Sequence, residues 1–330
     1  YEISACLVGS EMCIRDSYYT KENPLVNKNF DNCVSFHIED GAFMGRLVRL
    51  DEVVNTIVGK HCYPKPVSAV VAESAALGAL LASALKYDGL FTLQTKSSGP
   101  VTMVVVDVSS DGTIRACATF DEKRIQKAQE LRKTEGEIEA APHLMGEGYL
   151  AFTVDQGKDT DLYQGVVDLQ GKNLTECALR YFKQSEQIET ALQLFLQAPT
   201  EQNGRWKAAG IMLQKLPATG GKVREGADID EAWNEAVTFM QSLKEDEVFD
   251  DALSPEELLH RLYHSSKLVI TKNKEYRFGC RCSRDKLLNT LTSFGEEEIN
   301  NLADSHNQVS ATCNFCSEKY VFDKGELIRH

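Results

Sequence analysis

Four cysteines near the end of the chain have the spacing of metal ligands. Cys280 and Cys282 form a Cys-x-Cys pair, and after 30 further residues Cys313 and Cys316 form a Cys-x-x-Cys pair. Four thiolates can surround one Zn²⁺ ion tetrahedrally at about 2.3 Å, and such a closed site leaves no open position for water. The spacing therefore predicts one zinc site built from both pairs.

The Cys-x-Cys pair favours redox chemistry over a purely structural role. A single spacer residue makes the sulfurs of Cys280 and Cys282 neighbours, whereas structural zinc knuckles more often have two spacers. A zinc-bound thiolate is deprotonated and open to attack by peroxide or hypochlorite, and an adjacent sulfur can resolve the sulfenic acid. Oxidation of either pair would remove ligands. The spacing therefore suits a redox switch in which oxidation releases the zinc ion and the domain then unfolds.

Short elements are predicted around the two pairs. The strand "KEYRF" precedes the first pair, and "CNFCSEKYVF" has the pattern of a zinc knuckle that leads into another strand. The residues between the pairs predict two short helices, the first capped by Ser283. This zinc domain, residues 279–330, has few apolar residues for a core. A bound metal could therefore contribute on the order of 10 kcal/mol to its folding.

A strongly acidic helical segment, residues 227–278, precedes the zinc domain. Between residues 225 and 263 there are twelve acids, opposed by two bases. The first helix carries an apolar stripe of Ile229, Trp233, Val237, Met240 and Leu243. A second helix begins with a capping box at Ser254 and Glu257. The stripe needs a surface to cover, but like charges weaken docking. The segment is either an ordinary helical connector or a linker poised to detach.

Residues 18–226 have the pattern of an α+β domain, a mixed β-sheet with packed helices. Two alternating strands lead into a helix with Asp51 as its N-cap, and a long apolar helix within 63–89 is expected at the centre. A three-strand meander, a charged helical insertion over roughly 121–140, two strands and a helix opened by Asn173 follow. The strands "TALQLFLQA" and "KAAGIMLQKLP" are expected to close the same sheet.

Composition and motifs argue against several classes of function. The formal net charge is -13 and there is no basic run, so nucleic acid is not an expected partner. No stretch is apolar enough for a membrane span, and none matches the phosphate-binding GxxxxGK[ST], so neither membrane nor ATP is expected. There is no catalytic constellation, and we predict no enzymatic turnover. The expected compartment is the cytoplasm, where thiols stay reduced unless they bind metal or serve redox chemistry.

The remaining candidate residues receive plainer interpretations. Residues 1–17 lack a clean helical or strand period and are expected to be a non-native stretch. His61 is expected to be an ordinary loop residue, and His260 with His264 lacks a third ligand for a metal. Glu73, in the apolar helix, either has a buried partner or faces a polar edge. Four further cysteines are expected to behave as small apolar side chains, namely Cys33, Cys62, Cys117 and Cys177.

The sequence resembles the heat-shock protein 33 family of redox-regulated chaperones over roughly residues 29–330. The shared motifs are "GRLVRL", "YPKPV", "ALKYDGLFTLQTKSSGPVTMVVVD", "YQGVVDL", "YFKQSEQI", "LHRLYH" and the cysteine-bearing "FGCRCSRDKLL" and "CNFCSEKYVF". The resemblance implies a reduced, inactive form in which Cys280, Cys282, Cys313 and Cys316 hold zinc. It also implies that oxidation forms the disulfides Cys280–Cys282 and Cys313–Cys316 and loosens the linker. The oxidised form would hold unfolding client proteins without ATP and tend to dimerise.

Two other classes of function compete with this interpretation. A zinc-ribbon adaptor accounts for a four-cysteine cage, but not for the acidic balance or the Cys-x-Cys pair. A thiol–disulfide oxidoreductase would place its Cys-x-x-Cys at the start of a helix, whereas here a β run follows Cys316. For a chaperone, we hypothesise that clients bind the apolar surface uncovered when the linker leaves the first domain.

Overall fold

The computed structural model describes residues 30–135, 142–157, 162–169, 173–201, 204–216 and 227–328. Residues 1–17, expected to be non-native, lie outside these ranges. The strands are β1 (Asn32–Ile38), β2 (Phe43–Leu50), β3 (Leu90–Ser97), β4 (Val101–Ser109), β5 (Thr113–Phe120), β6 (Gly148–Asp155), β7 (Tyr163–Asp168), β8 (Thr190–Gln197), β9 (Lys207–Lys215), β10 (Val269–Glu275), β11 (Arg277–Phe278), β12 (Gln308–Thr312) and β13 (Lys319–Asp323). The helices are α1 (Glu52–Gly59), α2 (Lys65–Ala84), α3 (Glu122–Glu135), α4 (Pro142–Met145), α5 (Leu174–Tyr181), α6 (Ala227–Gln241), α7 (Glu245–Val248), α8 (Pro255–Tyr263), α9 (Arg284–Leu291), α10 (Glu296–Leu302) and α11 (Lys324–Ile328).

In the part of the chain that the structure describes, the strands form two large sheets and one hairpin, which confirms the α+β class. Sheet A has the order β10-β1-β2-β9-β8 and is antiparallel throughout. Sheet B has the order β11-β5-β4-β3-β6-β7, antiparallel except for the parallel pair β11–β5. The hairpin β12–β13 belongs to the C-terminal domain.

The long apolar helix α2 lies at the centre of the first domain, as predicted, and it packs between the two large sheets. It contacts β2 and β9 of sheet A and β4 and β5 of sheet B. Gly78 permits this close approach, because a Cβ at that position would lie 2.8 Å from a methyl carbon of Val106. Contrary to the expectation from the sequence, α2 is long and apolar enough to cross a membrane, but 83% of its most apolar 18-residue stretch is buried inside the protein. It is the core helix of the first domain.

The sequence interpretation of a single sheet was wrong, because β8 and β9 belong to sheet A and the meander β3–β4–β5 to sheet B. Nearly every residue of β9 is buried. Ala208 and Met212 face α2, while Ala209, Ile211 and Leu213 pack beneath the helices of the acidic segment. A strand buried on both faces has no polar alternation, so its sequence does not show which sheet it joins.

The N-cap of α1 also differs from the prediction. Asp51 occupies the N-cap position, but its side chain makes no capping hydrogen bond. The carboxylate of Asp31 accepts hydrogen bonds from the amides of Asp51, Glu52 and Val53 instead. Asp31 therefore satisfies the free donors of the first turn from 20 residues away, which a local cap motif does not reveal.

The acidic segment covers the outer face of sheet A with α6, α7 and α8. Trp233 packs edge-on against Phe43 at a ring distance of 5.2 Å, and Tyr263 stacks on Phe36 at 5.6 Å. The capping box of α8 is confirmed, since Ser254 and Glu257 exchange side-chain and amide hydrogen bonds. The segment then continues as β10 at the edge of sheet A and β11 at the edge of sheet B. Its last ten residues are therefore built into both sheets.

Candidate metal centre

Two short loops present the four cysteines. The first follows β11 and ends where Ser283 caps α9 by accepting a hydrogen bond from the amide of Lys286, as predicted. The second is a tight turn between β12 and β13. In this turn the amide of Cys313 donates to the carbonyl of Glu318, and the amide of Ser317 donates to the carbonyl of Cys313. The turn directs the sulfurs of Cys313 and Cys316 toward the first loop.

The structure brings the four sulfurs together. Cys280 and Cys313 are 3.6 Å apart at Sγ, Cys282 and Cys316 are 3.5 Å apart, and all four atoms lie within 4.8 Å of one another. Four thiolates at about 2.3 Å from one tetrahedral ion would be separated by about 3.8 Å. The donor set and its spacing therefore fit Zn²⁺. Within the described residues, no other group of histidines, cysteines or carboxylates was found that could hold a metal.

The thiols of the cluster differ in acidity. Burial opposes ionisation of Cys280, but the Cys282 amide and the neighbouring thiols donate hydrogen bonds that lower the pKa of Cys280 to about 7. Burial raises the pKa of Cys282 and of Cys316, and the hydroxyl of Tyr320, 3.3 Å from Cys282, works in the opposite direction on Cys282. Without a metal, Cys280 is therefore partly ionised at neutral pH, and the thiolate is the form that reacts with oxidants.

The centre rests on sheet B through a cluster of charged and aromatic side chains. Asp107 and Arg115 face each other on β4 and β5, and Arg115 donates to the Asp107 carboxylate at 2.6 and 2.8 Å. Arg281, between the first two cysteines, reaches the same carboxylate at 3.1 Å. Phe315 lies between the last two cysteines in the sequence, and the Arg115 guanidinium is 3.9 Å from the centre of its ring. The same guanidinium is 3.8 Å from Cys280 Sγ. Both cysteine loops are thus tied to Asp107 and Arg115.

His61 was expected to be an ordinary loop residue, but it contacts the second cysteine loop. Its Nε2 is 3.3 Å from the carbonyl oxygen of Phe315, and its Nδ1 is 3.1 Å from the hydroxyl of Ser317. The ring also stacks on Tyr63 at 4.5 Å, and burial lowers the pKa of His61. His61 therefore belongs to the surface on which the cysteine domain docks. No sequence pattern links residues 254 positions apart.

The other candidates lie away from the centre. Cys33, Cys117 and Cys177 are buried, as expected for small apolar side chains, whereas Cys62 is exposed. His260 and His264 stack on the exposed face of α8. Over its described residues, 279–328, the cysteine domain has a small core of five buried apolar residues, namely Leu291, Ile299, Val309, Phe322 and Leu327.

The fold and the site define an α+β protein whose C-terminal domain carries a four-cysteine candidate metal centre. A family model described as "Hsp33 protein" matches residues 31–323. A 33 kDa chaperonin of Caulobacter vibrioides is 35% identical over 295 residues, which cover 89% of this chain and 95% of the relative. A 33 kDa chaperonin of Pseudomonas aeruginosa is 35% identical over 298 residues, which cover 90% of this chain and 93% of the relative. The chain belongs to the Hsp33 family.

A solved structure shows the same fold. The crystal structure of the 33 kDa chaperonin of Thermotoga maritima superposes with a TM-score of 0.72 at 21% sequence identity, covering 90% of this chain and 96% of that one. Membership in this family and the names of the relatives support a chaperone function for the chain.

Proposed function

We propose that the chain is a redox-regulated, ATP-independent holdase chaperone of the cytoplasm that acts during oxidative stress. In the reduced form Cys280, Cys282, Cys313 and Cys316 hold one Zn²⁺ ion, and residues 227–278 form a linker that covers sheet A. The domain limits of the proposal are 18–226 for the chaperone domain and 279–330 for the switch domain. The metal would supply folding energy to a domain whose apolar core is small.

The redox step uses two thiol pairs and two equivalents of a two-electron oxidant such as hydrogen peroxide. One thiolate attacks the peroxide oxygen and becomes a sulfenic acid, and its partner sulfur then displaces the hydroxyl. Each pair of thiolates loses two electrons and forms one S–S bond, while one peroxide takes up two protons from solvent and becomes two waters. We propose the disulfides Cys280–Cys282 and Cys313–Cys316, a pairing that rests on the family resemblance. Oxidation removes all four ligands, so the switch domain loses its metal.

One observation carries the proposal: the linker leads directly into the four-cysteine centre through two strands that belong to the large sheets. The chain runs from α8 through β10 in sheet A and β11 in sheet B directly into the first cysteine loop. Arg115 and Asp107 hold that loop on sheet B. Unfolding of the switch domain therefore removes contacts at the point where the linker ends. The linker itself crowds acidic side chains on an apolar face, and its departure would expose the aromatic and aliphatic surface of sheet A.

The test follows metal, thiols and activity together. The reduced, zinc-loaded chain is treated with peroxide or hypochlorite at a temperature that weakens the fold. We expect one zinc released, a loss of four of the ten thiols titrated after denaturation, and a gain in suppression of client aggregation without ATP. The variant Cys62→Ser is the control, because Cys62 is exposed but outside the cluster. The Cys62→Ser variant should release zinc and gain holding activity on oxidation like the parent chain. The Cys282→Ser variant should not gain holding activity on oxidation.

The same experiment separates the remaining alternatives. Zinc that stays bound, or that leaves with no gain of holding activity, would indicate a purely structural site and a zinc-ribbon adaptor. Sedimentation of the oxidised and reduced forms tests the homodimer that we propose for the oxidised state. Unfolded proteins are the proposed partners, with no role for nucleic acid or membrane.

A further inference from the structure

The outer face of sheet A forms a groove that the linker fills. We call it the linker groove. Its apolar floor consists of buried side chains from three strands, namely Phe36, Phe43, Leu47, Ile211 and Leu213. The stripe of α6 and the apolar face of α8 cover this floor. An apolar floor alone would accept any hydrophobic segment, so the selectivity of the groove depends on its polar groups.

The floor of the groove is flanked by lysines at both ends of one strand. β9 has the sequence KAAGIMLQK, and its odd-numbered residues face the linker. Lys207 and Lys215 are therefore on the same face, separated by eight residues, or about 27 Å at the rise of a β-strand. Helix α6, with 15 residues, is about 22 Å long. The distance between the lysines thus suits a helix of about four turns with its flanking residues.

At the first end, Lys207 and Arg49 hold the turn that follows α7. Lys207 Nζ is 2.7 Å from the carboxylate of Asp251 and 3.2 Å from the carbonyl oxygen of Phe249. Arg49 donates hydrogen bonds to the backbone carbonyl oxygens of Leu253, at 2.7 Å, and of Asp250, at 2.8 Å. The Arg49 and Lys207 side chains also lie over the ring of Phe30. Both side chains are buried beneath the linker, so their charges face the linker rather than solvent.

At the other end, Lys215 bridges two carboxylates. One is Asp230 in the first turn of α6, and the other is Glu189, next to β8, at 3.2 Å. The linker is therefore held in the groove by an apolar face in the middle and by cationic side chains at both ends. The rest of the chain is acidic, with 49 acids and 36 bases. The cations that line this apolar floor are a local exception to that balance.

We infer that the linker groove, once the linker has left it, selects acidic amphipathic segments of unfolding clients and holds them with Arg49, Lys207 and Lys215. The inference rests on the proposed function and specifies its client class. A client segment of this kind would replace the linker, with its apolar face on the floor and its carboxylates on the lysines.

The probe is a fluorescent peptide that copies residues 227–253. A second peptide carries asparagine at the positions of Asp230, Asp250 and Asp251. Binding of both to the oxidised full-length chain is measured by anisotropy. Two ion pairs, Lys207–Asp251 and Lys215–Asp230, together predict about tenfold tighter binding of the acidic peptide at low salt, and a smaller difference at high salt.

Protein variants test where the selectivity arises. Lys207→Met with Lys215→Met should weaken binding of the acidic peptide about tenfold and leave the asparagine peptide unchanged. Lys123→Met with Lys127→Met changes the net charge equally, on exposed positions of α3, and should leave both affinities unchanged. Lys215→Met alone is the fallback if the loss of Lys207 impairs folding, because Lys215 is less buried.

The outcomes distinguish the inference from the proposed function. Equal affinity for both peptides, or no binding of either by an oxidised chain that still holds clients, would overturn the selectivity of the groove and leave the chaperone proposal intact. An oxidised chain that holds no unfolded client at all would overturn the proposed function itself.

Discussion

At the scale of single residues, Arg115 connects the two domains. It neutralises Asp107, whose side chain is only 7% exposed, and it covers the ring of Phe315 in the second cysteine loop. We predict that Arg115→Gln lowers the free energy of unfolding of the reduced, zinc-loaded chain by about 2 kcal/mol. This is less than the usual cost of orphaning a buried charge, because Arg281 remains near Asp107. Denaturant unfolding followed by circular dichroism measures it.

A double-mutant cycle shows whether Arg115 acts across the domain boundary. Arg115→Gln and Phe315→Leu should be coupled by about 0.5–1 kcal/mol, the usual size of a cation–π contact. Arg124→Gln, at an exposed position on α3, removes the same charge and should show no coupling to Phe315→Leu. Additive effects of Arg115→Gln and Phe315→Leu would mean that Arg115 serves sheet B alone.

Glu73 permits a prediction about pH. It is largely buried in α2 and has no hydrogen bond or ion pair within the described part of the chain, and burial raises its pKa to about 7. The unfolded chain releases this proton near pH 4.5, so ionised Glu73 destabilises the fold increasingly as pH rises from about 4.5 to about 7. Glu73→Gln should therefore stabilise the chain by about 1–2 kcal/mol at pH 8 and by almost nothing at pH 4.5. Thermal unfolding at both pH values measures this, and a gain that does not change with pH would contradict it.

The site residues that could be predicted from the sequence differ from the others in how far apart their contact partners lie along the chain. The four cysteines could be identified from the sequence because each pair is local and its spacing is typical of metal ligands. Arg115 meets Cys280 from 165 positions away, and His61 meets Phe315 from 254 positions away. Neither has a local pattern. The docking surface could be found only once the fold had brought β5 and the α1–α2 loop beneath the cysteine loops.

At the scale of elements, the N-cap of α8 is a buried feature of the linker. Ser254 is fully buried, and its hydroxyl accepts a hydrogen bond from the amide of Glu257. Loss of such a cap costs about 1 kcal/mol. We predict that Ser254→Ala loosens the linker in the reduced form, so that protease cuts within 227–268 more quickly and less oxidant is needed for holding activity.

A matched cap elsewhere separates linker release from general destabilisation. Asn173 caps α5 by accepting a hydrogen bond from the amide of Glu176 at 2.8 Å, in the first domain. Asn173→Ala should lower overall stability by a similar amount but leave linker cleavage and the oxidant threshold unchanged. If both variants shift the threshold equally, the linker is not the element that sets it.

The elements themselves were predictable where their patterns are local. The capping box of α8, the cap of α5, the central helix α2 and the meander β3–β4–β5 follow from spacing and turn residues. The partners of β9 do not, because this strand is buried on both faces by α2 and by the linker. The partition into two sheets depends on contacts between distant segments, which no local period specifies.

At the scale of the whole molecule, the described residues form two large hydrophobic cores and one small one. The two large clusters include buried residues from both faces of sheet A and from sheet B, whereas the C-terminal cluster has five fully packed members. Stability is therefore uneven. Domains of about fifty residues with so small a core usually depend on a bound metal or a covalent link for their stability.

This asymmetry predicts the result of removing the proposed zinc ion without oxidation. Treatment of the reduced chain with a chelator should abolish hydrogen-exchange protection over 284–328, because the proposed metal would contribute on the order of 10 kcal/mol to the folding of that domain. The strands of sheets A and B around α2 should stay protected, and zinc added back should restore the domain. Disulfide formation is blocked by the reductant, so unfolding under these conditions would be due to metal loss alone. Continued protection of 284–328 in the metal-free chain would show that its five-residue core is sufficient, and oxidation would then have to act on the linker by another route.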